Sequence, residues 1–161
     1  MTTGFILNGE DVVIQTEANQ RLIDILRETF HLLGAKRGCL AGNCGACSVI
    51  YNGNVTEACL IPAFRIRGCE IITIEGFSQT NEYQDIVVGF SEAGLENCGY
   101  CSTGKILTAE ALLGRNPRPD RDIILAAFNG IKCRCTDPET LVEGVLAAAD
   151  IRQRRLYGRS L

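Results

Sequence analysis

The sequence predicts an α+β protein, with strands in its N-terminal half and helices in its C-terminal half. Apolar residues recur with a period of two before Gly76 and with a helical period after it. A polar stretch at residues 78–82 separates the two patterns. We therefore predict two domains, at residues 1–77 and 78–161.

The N-terminal half carries two hairpin signals. Asn8-Gly9 and Asn52-Gly53 each lie between short apolar runs. This dipeptide favours the two-residue turns of hairpins because both residues tolerate a positive φ. The predicted elements are a hairpin at residues 4–16, a helix at residues 21–30, a hairpin at residues 48–56, and a strand at residues 71–74 ended by Glu75-Gly76.

The C-terminal half carries four amphipathic stripes. Each stripe places apolar residues three or four positions apart, which predicts four short helices packed as a bundle. The stripes are Tyr83, Ile86, Val87 and Phe90; Ile106, Ala109, Leu112 and Leu113; Ile123, Ile124, Ala127 and Phe128; and Leu141, Val142, Val145, Leu146 and Ala149.

Composition excludes several classes of protein. The net charge of −3 over 161 residues gives no sign of nucleic-acid binding. No apolar run approaches the roughly 18 residues of a membrane span, and the first residues lack the pattern of a secretory signal. We therefore expect a cytoplasmic protein. Its nine cysteines are unusual there, because closely spaced cysteines in a reducing compartment more often bind metal or do redox chemistry.

The first cysteine group has the spacing of a plant-type [2Fe–2S] site. Cys39, Cys44 and Cys47 form C-x4-C-x2-C, and Cys59 follows after eleven intervening residues. The surrounding loop is rich in glycine, which lets the chain wrap tightly and turn backbone N–H groups toward the sulfurs. A [2Fe–2S] cluster is the favoured interpretation; a zinc site and a set of buried thiols are the alternatives.

The second cysteine group consists of two close pairs. Cys98 and Cys101 form C-x2-C, and Cys133 and Cys135 form C-x-C. Each pair precedes a predicted helix, at residues 104–113 and 139–149. Helix N-termini attract anions, so two such ends converging on four thiolates would suit an anionic cluster. Zinc and structural thiols remain open alternatives for this group.

Both groups together, in this order and with two helices between the pairs of the second, resemble the iron–sulfur subunit of the xanthine dehydrogenase family of molybdenum hydroxylases. The resemblance implies a plant-ferredoxin-like β-grasp domain followed by a four-helix bundle, each with one [2Fe–2S] cluster. It also implies two partners, which are a large molybdopterin-binding subunit and, separately, an FAD-binding subunit. Electrons would pass from molybdopterin through the bundle cluster and then the ferredoxin-like cluster to the flavin. The segments that carry the resemblance are Arg37-Gly38-Cys39-Leu40-Ala41-Gly42-Asn43-Cys44-Gly45-Ala46-Cys47-Ser48, Cys98-Gly99-Tyr100-Cys101 and Lys132-Cys133-Arg134-Cys135-Thr136.

The sequence departs from the family pattern around the second group. Asn97 stands where the family usually has Gln before the first cysteine of the group. Asn97 and Cys135 match family positions that contact the pterin, and the resemblance implies that role for them. The other departures are Ser102-Thr103-Gly104-Lys105 in place of Thr-Pro-Gly-Met, and Thr136-Asp137-Pro138 in place of Thr-Gly-Tyr.

Other conspicuous residues predict no chemistry. Cys69 is expected to be a small core residue, and His31 to be solvated or to cap a helix. No catalytic triad, carboxylate pair or phosphate loop stands out. We therefore expect this chain to be the iron–sulfur subunit of an oxidoreductase and to perform no substrate chemistry itself. A free-standing electron carrier and a zinc-stabilised interaction protein are the rival functions. The C-terminal arginines are expected to be solvated: Arg152, Arg154, Arg155 and Arg159.

Overall fold

The computed structural model describes residues 1–96 and 98–158. In these residues five strands form one mixed sheet in the order β2-β1-β5-β3-β4. Strands β1 and β2, and strands β3 and β4, are antiparallel hairpins, while β5 runs parallel to β1 and antiparallel to β3. The strands are β1 (Thr2–Leu7), β2 (Glu10–Gln15), β3 (Ser48–Tyr51), β4 (Asn54–Glu57) and β5 (Glu70–Ile72).

Both predicted hairpins form around their Asn-Gly turns. Asn8 and Gly9 have φ values of 52° and 87°, and Asn52 and Gly53 have φ values of 48° and 76°. Positive φ at both central residues is what a type I′ turn requires, and its twist matches that of the flanking strands. The turn dipeptides therefore determine which strands pair and in what register.

The predicted helix at residues 21–30 forms with a change of winding. It begins as α1 (Leu22–Asp24) and continues as a π-helical turn over Ile25–Thr29. Its apolar side chains Leu22, Ile25 and Leu26 are fully buried. Two short 3₁₀ helices that the periodicity did not indicate follow β4, at Ala58–Leu60 and Ala63–Arg65.

The strand predicted at residues 71–74 is too long. Strand β5 ends at Ile72, and a short helix α2 occupies Ile74–Phe77. The side chain of Asn8 accepts a hydrogen bond from the Thr73 backbone N–H at 2.8 Å and donates to the Thr73 hydroxyl at 3.1 Å. These bonds take Thr73 out of the ladder of the sheet, so the chain turns into a helix there.

The C-terminal half contains four further helices within the described residues, in agreement with the four predicted stripes. Their buried faces form one hydrophobic core, which includes Ile86, Phe90, Leu113, Val142 and Val145. The stripes were wrong for three members that lie exposed, since their helices bury a narrower face than the pattern suggested: Ile123, Ala127 and Leu146. The helices are α3 (Asn81–Glu92), α4 (Ser102–Arg115), α5 (Arg121–Phe128) and α6 (Pro138–Tyr157).

The sheet lies between two hydrophobic cores. In β3, Val49 points into the core shared with α1, whereas its neighbour Ile50 points into the core of the C-terminal helices. Successive side chains of a strand face opposite sides, so one strand contributes to both cores. The helical half is therefore packed directly against the sheet. The boundary between residues 77 and 78 stays a prediction.

The C-terminal arginines are not simply solvated. Arg152 is 6 % exposed and its guanidinium lies 2.6 Å from the Glu110 carboxylate and 3.5 Å from that of Asp85. Arg155 pairs with Asp85 at 2.7 Å and with Glu82 at 2.9 Å. The prediction was thus wrong for Arg152, which is buried, whereas Arg155 is ion-paired but stays exposed. The reason is that α6 packs against α3, which carries Glu82 and Asp85. Arg154 is exposed, and Arg159 lies outside the described residues.

The longest helix, α6, carries this charged C-terminal end. None of the helices within residues 1–96 and 98–158 combines the length and the apolar character needed to cross a membrane. All nine cysteines lie in the described residues, and none of them forms a disulfide.

Candidate metal centres

The hairpin of β3 and β4 brings Cys47 and Cys59 together. Cys47 directly precedes β3, and Cys59 lies in the 3₁₀ helix that follows β4. The Ala58 backbone N–H donates to the Cys47 carbonyl at 3.2 Å, and the two thiols share a hydrogen bond. Burial raises the pKa of the Cys47 thiol to about 12. Metal binding at this thiol must therefore release a proton.

The loop before β3 wraps around the sulfur of Cys39. The backbone N–H groups of Asn43 and Ala41 point at that sulfur from 3.1 and 3.4 Å, and they lower the pKa of the Cys39 thiol to about 7. The Cys39 N–H in turn lies 3.4 Å from the sulfur of Cys44, and these two thiols also share a hydrogen bond. The inward-pointing N–H groups expected from the sequence are present.

At Gly38 the first loop lies against side chains of both cysteine segments. A Cβ on Gly38 would lie 2.7 Å from the Cys44 sulfur and 2.8 Å from the Tyr100 hydroxyl. Contacts that short do not occur for real Cβ atoms. The backbone at Gly38 therefore packs directly against a cysteine of the first group and a tyrosine of the second cysteine segment.

The second cysteine group also forms two thiol pairs. Cys98 shares a hydrogen bond with Cys135, and Cys101 shares one with Cys133. Cys98 and Cys135 are exposed, whereas Cys101 is buried and Cys133 is partly buried. One pair thus lies at the surface and the other in the interior. Asn97, the other predicted pterin contact, lies outside the described residues.

Environment separates the pKa values within this group. Burial raises the pKa of Cys101 to about 11. Burial acts in the same direction on Cys133, but hydrogen bonds from the Cys135 N–H and from the Cys101 thiol bring the pKa of Cys133 down to about 7. The Tyr100 N–H lowers the pKa of Cys98, and the hydrogen bond shared with Cys98 raises the pKa of Cys135.

Only one of the two predicted helix ends is open toward this group. Cys101 itself occupies the N-cap position of α4, without a side-chain cap. The N-terminus of α6 is instead capped by Asp137, whose carboxylate accepts from the N–H groups of Glu139 and Thr140 at 3.1 and 3.0 Å. Asp at the N-cap followed by Pro at the first helical position is a strong helix-start signal. The departure at Asp137-Pro138 thus starts a helix, and N–H groups at that helix end already donate to the Asp137 carboxylate.

Lys105 is a residue at the second site that sequence reasoning missed. It is 2 % exposed, and its ammonium donates to the Thr136 hydroxyl at 3.1 Å and lies 3.9 Å from the Cys133 sulfur. The sequence marked Lys105 only as a departure from the family pattern. A lysine beside an apolar stripe of α4 was the available signal, because burying an unpaired charge is costly and calls for a nearby partner.

The two cysteine groups lie side by side. The Lys132 backbone N–H donates to the Cys44 carbonyl at 3.2 Å. Gly104, in the first turn of α4, lies so close to the first loop that an added Cβ would be 2.3 Å from the Gly45 carbonyl oxygen. A cavity of about 410 Å³ is lined by Cys44 and by all four cysteines of the second group. Contacts between the two halves therefore hold the second group and Cys44 of the first group around one cavity.

Cys69 takes no part in either group. Its thiol is half-buried and lies 3.0 Å from the Tyr51 hydroxyl and 3.3 Å from the Arg65 carbonyl oxygen. The expectation of a plain core residue was wrong, because the thiol is hydrogen bonded at the end of the sheet. His31 is exposed, with a φ of 55°, directly after the first helix, as expected for a solvated residue at a helix end.

Comparison with known families identifies both halves as iron–sulfur modules. Residues 10–94 match the family described as 2Fe-2S iron-sulfur cluster binding domain, and residues 73–146 match the family described as [2Fe-2S] binding domain. The chain is thus an α+β protein of two [2Fe–2S]-binding regions.

Curated relatives indicate which kind of iron–sulfur protein this chain is similar to. The chain is 46 % identical over 136 residues to the nicotinate dehydrogenase small FeS subunit of Eubacterium barkeri, covering 84 % of this chain and 87 % of that protein. It is 34 % identical over 142 residues to the nicotine 6-hydroxylase small subunit of Paenarthrobacter nicotinovorans, covering 88 % and 86 %. Among solved structures, a chain of quinoline 2-oxidoreductase from Pseudomonas putida 86 matches with a TM-score of 0.85 at 34 % identity, over 98 % of this chain and 97 % of that one.

The chain therefore belongs to the iron–sulfur subunits of the molybdenum hydroxylase family, which serve in electron transfer. Some relatives carry the same region within a longer chain. The aldehyde oxidoreductase of Megalodesulfovibrio gigas is 37 % identical over 148 residues, which are 90 % of this chain but 16 % of that protein.

Proposed function

We propose that this chain holds two [2Fe–2S] clusters, the first through Cys39, Cys44, Cys47 and Cys59 and the second through Cys98, Cys101, Cys133 and Cys135. The pairing of the eight thiols carries this proposal. Each iron of a [2Fe–2S] cluster takes two protein ligands, and the thiols pair as 39 with 44, 47 with 59, 98 with 135, and 101 with 133.

The same pairing weighs against zinc. A structural zinc ion needs four ligands that converge on one point. In the part of the chain that the structure describes, no three Cys, His, Asp or Glu side chains gather closely enough to hold a single metal ion. Thiols that lie in neighbouring pairs suit a cluster of two irons, with one pair for each iron, better than a site for a single metal ion.

The surrounding residues are suited to an anionic cluster. When bound, a [2Fe–2S] cluster takes up and releases one electron at a potential set by net charge, hydrogen bonds to sulfur and solvent exposure. In the first site, the N–H groups of Ala41 and Asn43 supply hydrogen bonds to sulfur. In both sites one thiol pair lies in the interior and the other includes an exposed cysteine, so part of each site meets solvent or a partner.

The adjacency of the two sites favours a relay over a single-site carrier. The contacts of Lys132 with Cys44 and of Gly104 with Gly45 keep the sites next to each other. A shuttle needs only one redox site, whereas two in series connect a donor with a different acceptor. The free-standing two-cluster carrier is therefore the second candidate.

We further propose the partners that the family resemblance implies. A large molybdopterin-binding subunit would meet the exposed Cys98 and Cys135 edge of the second site, with Asn97 and Cys135 as pterin contacts. An FAD-binding subunit would meet the edge at Cys39. The match to a small part of the longer aldehyde oxidoreductase supports a large partner region. The same proposal includes a four-helix bundle, a β-grasp domain, a boundary between residues 77 and 78, and a cytoplasmic location.

Metal analysis and electron paramagnetic resonance test the ligand assignment. Anaerobically purified chain should contain about four irons and four labile sulfides and give two distinct signals after reduction. Cys44→Ser should remove one signal and Cys101→Ser the other, while Cys69→Ser, the control, should leave both. Stoichiometric zinc, or loss of the same signal in both variants, would contradict the assignment.

Stopped-flow reduction of the assembled complex tests the order of the relay. With Cys44→Ser, the second cluster should still be reduced by substrate. With Cys101→Ser, substrate should fail to reduce the first cluster at the parent rate. Rapid reduction of the first cluster and full turnover in the Cys101→Ser complex would show that the order is wrong.

A further inference from the structure

The buried charge of Lys105 lies against the second site. Its ammonium approaches the sulfur of Cys133 within 3.9 Å and is held by a 3.1 Å hydrogen bond to the hydroxyl of Thr136, the residue after Cys135. Two contacts from one ammonium define its position. Because the side chain is 2 % exposed, water does little to screen its charge.

No acid neutralises this charge within the described residues. None of their carboxylates forms an ion pair with Lys105. The two acids that line the same side of the site have other partners: Asp137 caps α6, and Glu139 pairs with Arg121. The positive charge of Lys105 is therefore directed at the thiolates of the second group.

A fixed positive charge favours the reduced form of a nearby redox centre. Reduction adds one electron and therefore one negative charge, which the ammonium stabilises more in the reduced than in the oxidised form. A hydrogen bond to a ligand sulfur acts in the same direction, because it withdraws charge from the sulfur.

We propose that Lys105 raises the reduction potential of the second cluster and so tunes the site that receives electrons first. This inference rests on the proposed cluster at Cys98, Cys101, Cys133 and Cys135. Lys105 acts through the electrostatics of Cys133 and is a positioning and tuning residue. The first cluster is affected less, since the contacts of the ammonium are with Cys133 and Thr136.

Redox titration of the full chain followed by electron paramagnetic resonance tests this proposal. Lys105→Met, which introduces the residue usual in the family, should make reduction of the second cluster less favourable by on the order of tenfold, equivalent to about 59 mV for one electron. Lys105→Gln keeps a donor but removes the charge, and should shift the potential in the same direction. Lys105→Arg keeps the charge and should stay near the parent value.

Lys132→Met provides a matched control. Lys132 is a second lysine beside the same site, but it is exposed, so water screens its charge. Its substitution should shift the potential much less than Lys105→Met, and in every Lys105 variant the first cluster should shift less than the second. If Lys105→Met loses the signal of the second cluster, the second-cluster potentials of Lys105→Arg and Lys105→Gln are compared instead, and equal values would contradict the proposal.

Several outcomes would overturn the proposal. Equal second-cluster potentials in the parent, Lys105→Met and Lys105→Gln would remove the role of the charge. So would a shift in Lys132→Met as large as that in Lys105→Met, or an equal shift of both clusters. A parent protein with only two irons and one signal would instead overturn the proposed function on which this inference rests.

Discussion

The contact between Gly104 and the first cysteine loop offers a direct test of how the two sites are held together. In Gly104→Ala, the added methyl would lie 2.3 Å from the Gly45 carbonyl oxygen and 3.3 Å from the Ser48 hydroxyl. An ordinary contact begins at 3.4 Å, so α4 and the loop must separate by about 1.1 Å. The obstacle is backbone, and no rotamer change can relieve it.

The magnitude follows from two opposing effects. Overpacking of this kind costs about 1–3 kcal/mol, while alanine in place of glycine returns up to about 1 kcal/mol of helix propensity. Because the obstacle is backbone, the upper part of the overpacking range applies, about 2–3 kcal/mol, and the net loss is about 1–2 kcal/mol. For a chain of this size each kcal/mol lowers Tm by about 2–4 °C, so Tm should fall by about 2–8 °C.

Gly114→Ala is the matched control. Gly114 lies in the same helix and is exposed, and an added Cβ there would meet nothing within 4 Å. This variant should be as stable as the parent or more stable, because only the propensity gain applies. Thermal unfolding of samples with equal iron content, together with the resonance signals of both clusters, provides the measurement.

The expected result is a lower Tm and altered signals of both clusters in Gly104→Ala alone. If Gly104→Ala melts at or above Gly114→Ala and both signals are unchanged, the first loop and α4 are not in the contact described, and the reasoning is wrong.

Two further predictions concern charged residues. Asp85→Asn should destabilise the protein by about 1.5–3 kcal/mol in thermal or denaturant unfolding, since it removes the buried acid that Arg152 and Arg155 share while Glu110 and Glu82 remain as their partners. Glu139→Gln, which breaks an exposed ion pair, should cost far less, and equal losses would contradict this. Asp137→Ala should lower Tm by removing the cap of α6. A hydrogen bond from Thr140 keeps the pKa of Asp137 below its usual range, so the advantage of the parent should be complete above the unfolded pKa of about 4 and shrink as the pH falls through the folded pKa; an advantage that does not depend on pH between about 2 and about 6 would refute the role of the carboxylate.

Local chemistry accounts for what could be predicted. The Asn-Gly turns determine the two hairpins because their positive φ values are a property of the dipeptide itself. The spacing of Cys39, Cys44 and Cys47 predicts a cluster loop because neighbouring N–H groups must fold back on the sulfurs. Helical periodicity predicted four C-terminal helices, though not which side chains at their margins are exposed.

Tertiary structure alone decided the features that join the two halves. Asn8 ends β5 from 65 residues away, α6 brings Arg152 onto Asp85 of α3, and α4 lays Gly104 on Gly45. Periodicity records which face of an element is apolar, but not which distant element covers it. For the same reason the sequence by itself predicted two iron–sulfur sites and their cysteines, whereas only the fold decided that the two cysteine groups are neighbours and that the charge of Lys105 is buried against one of them.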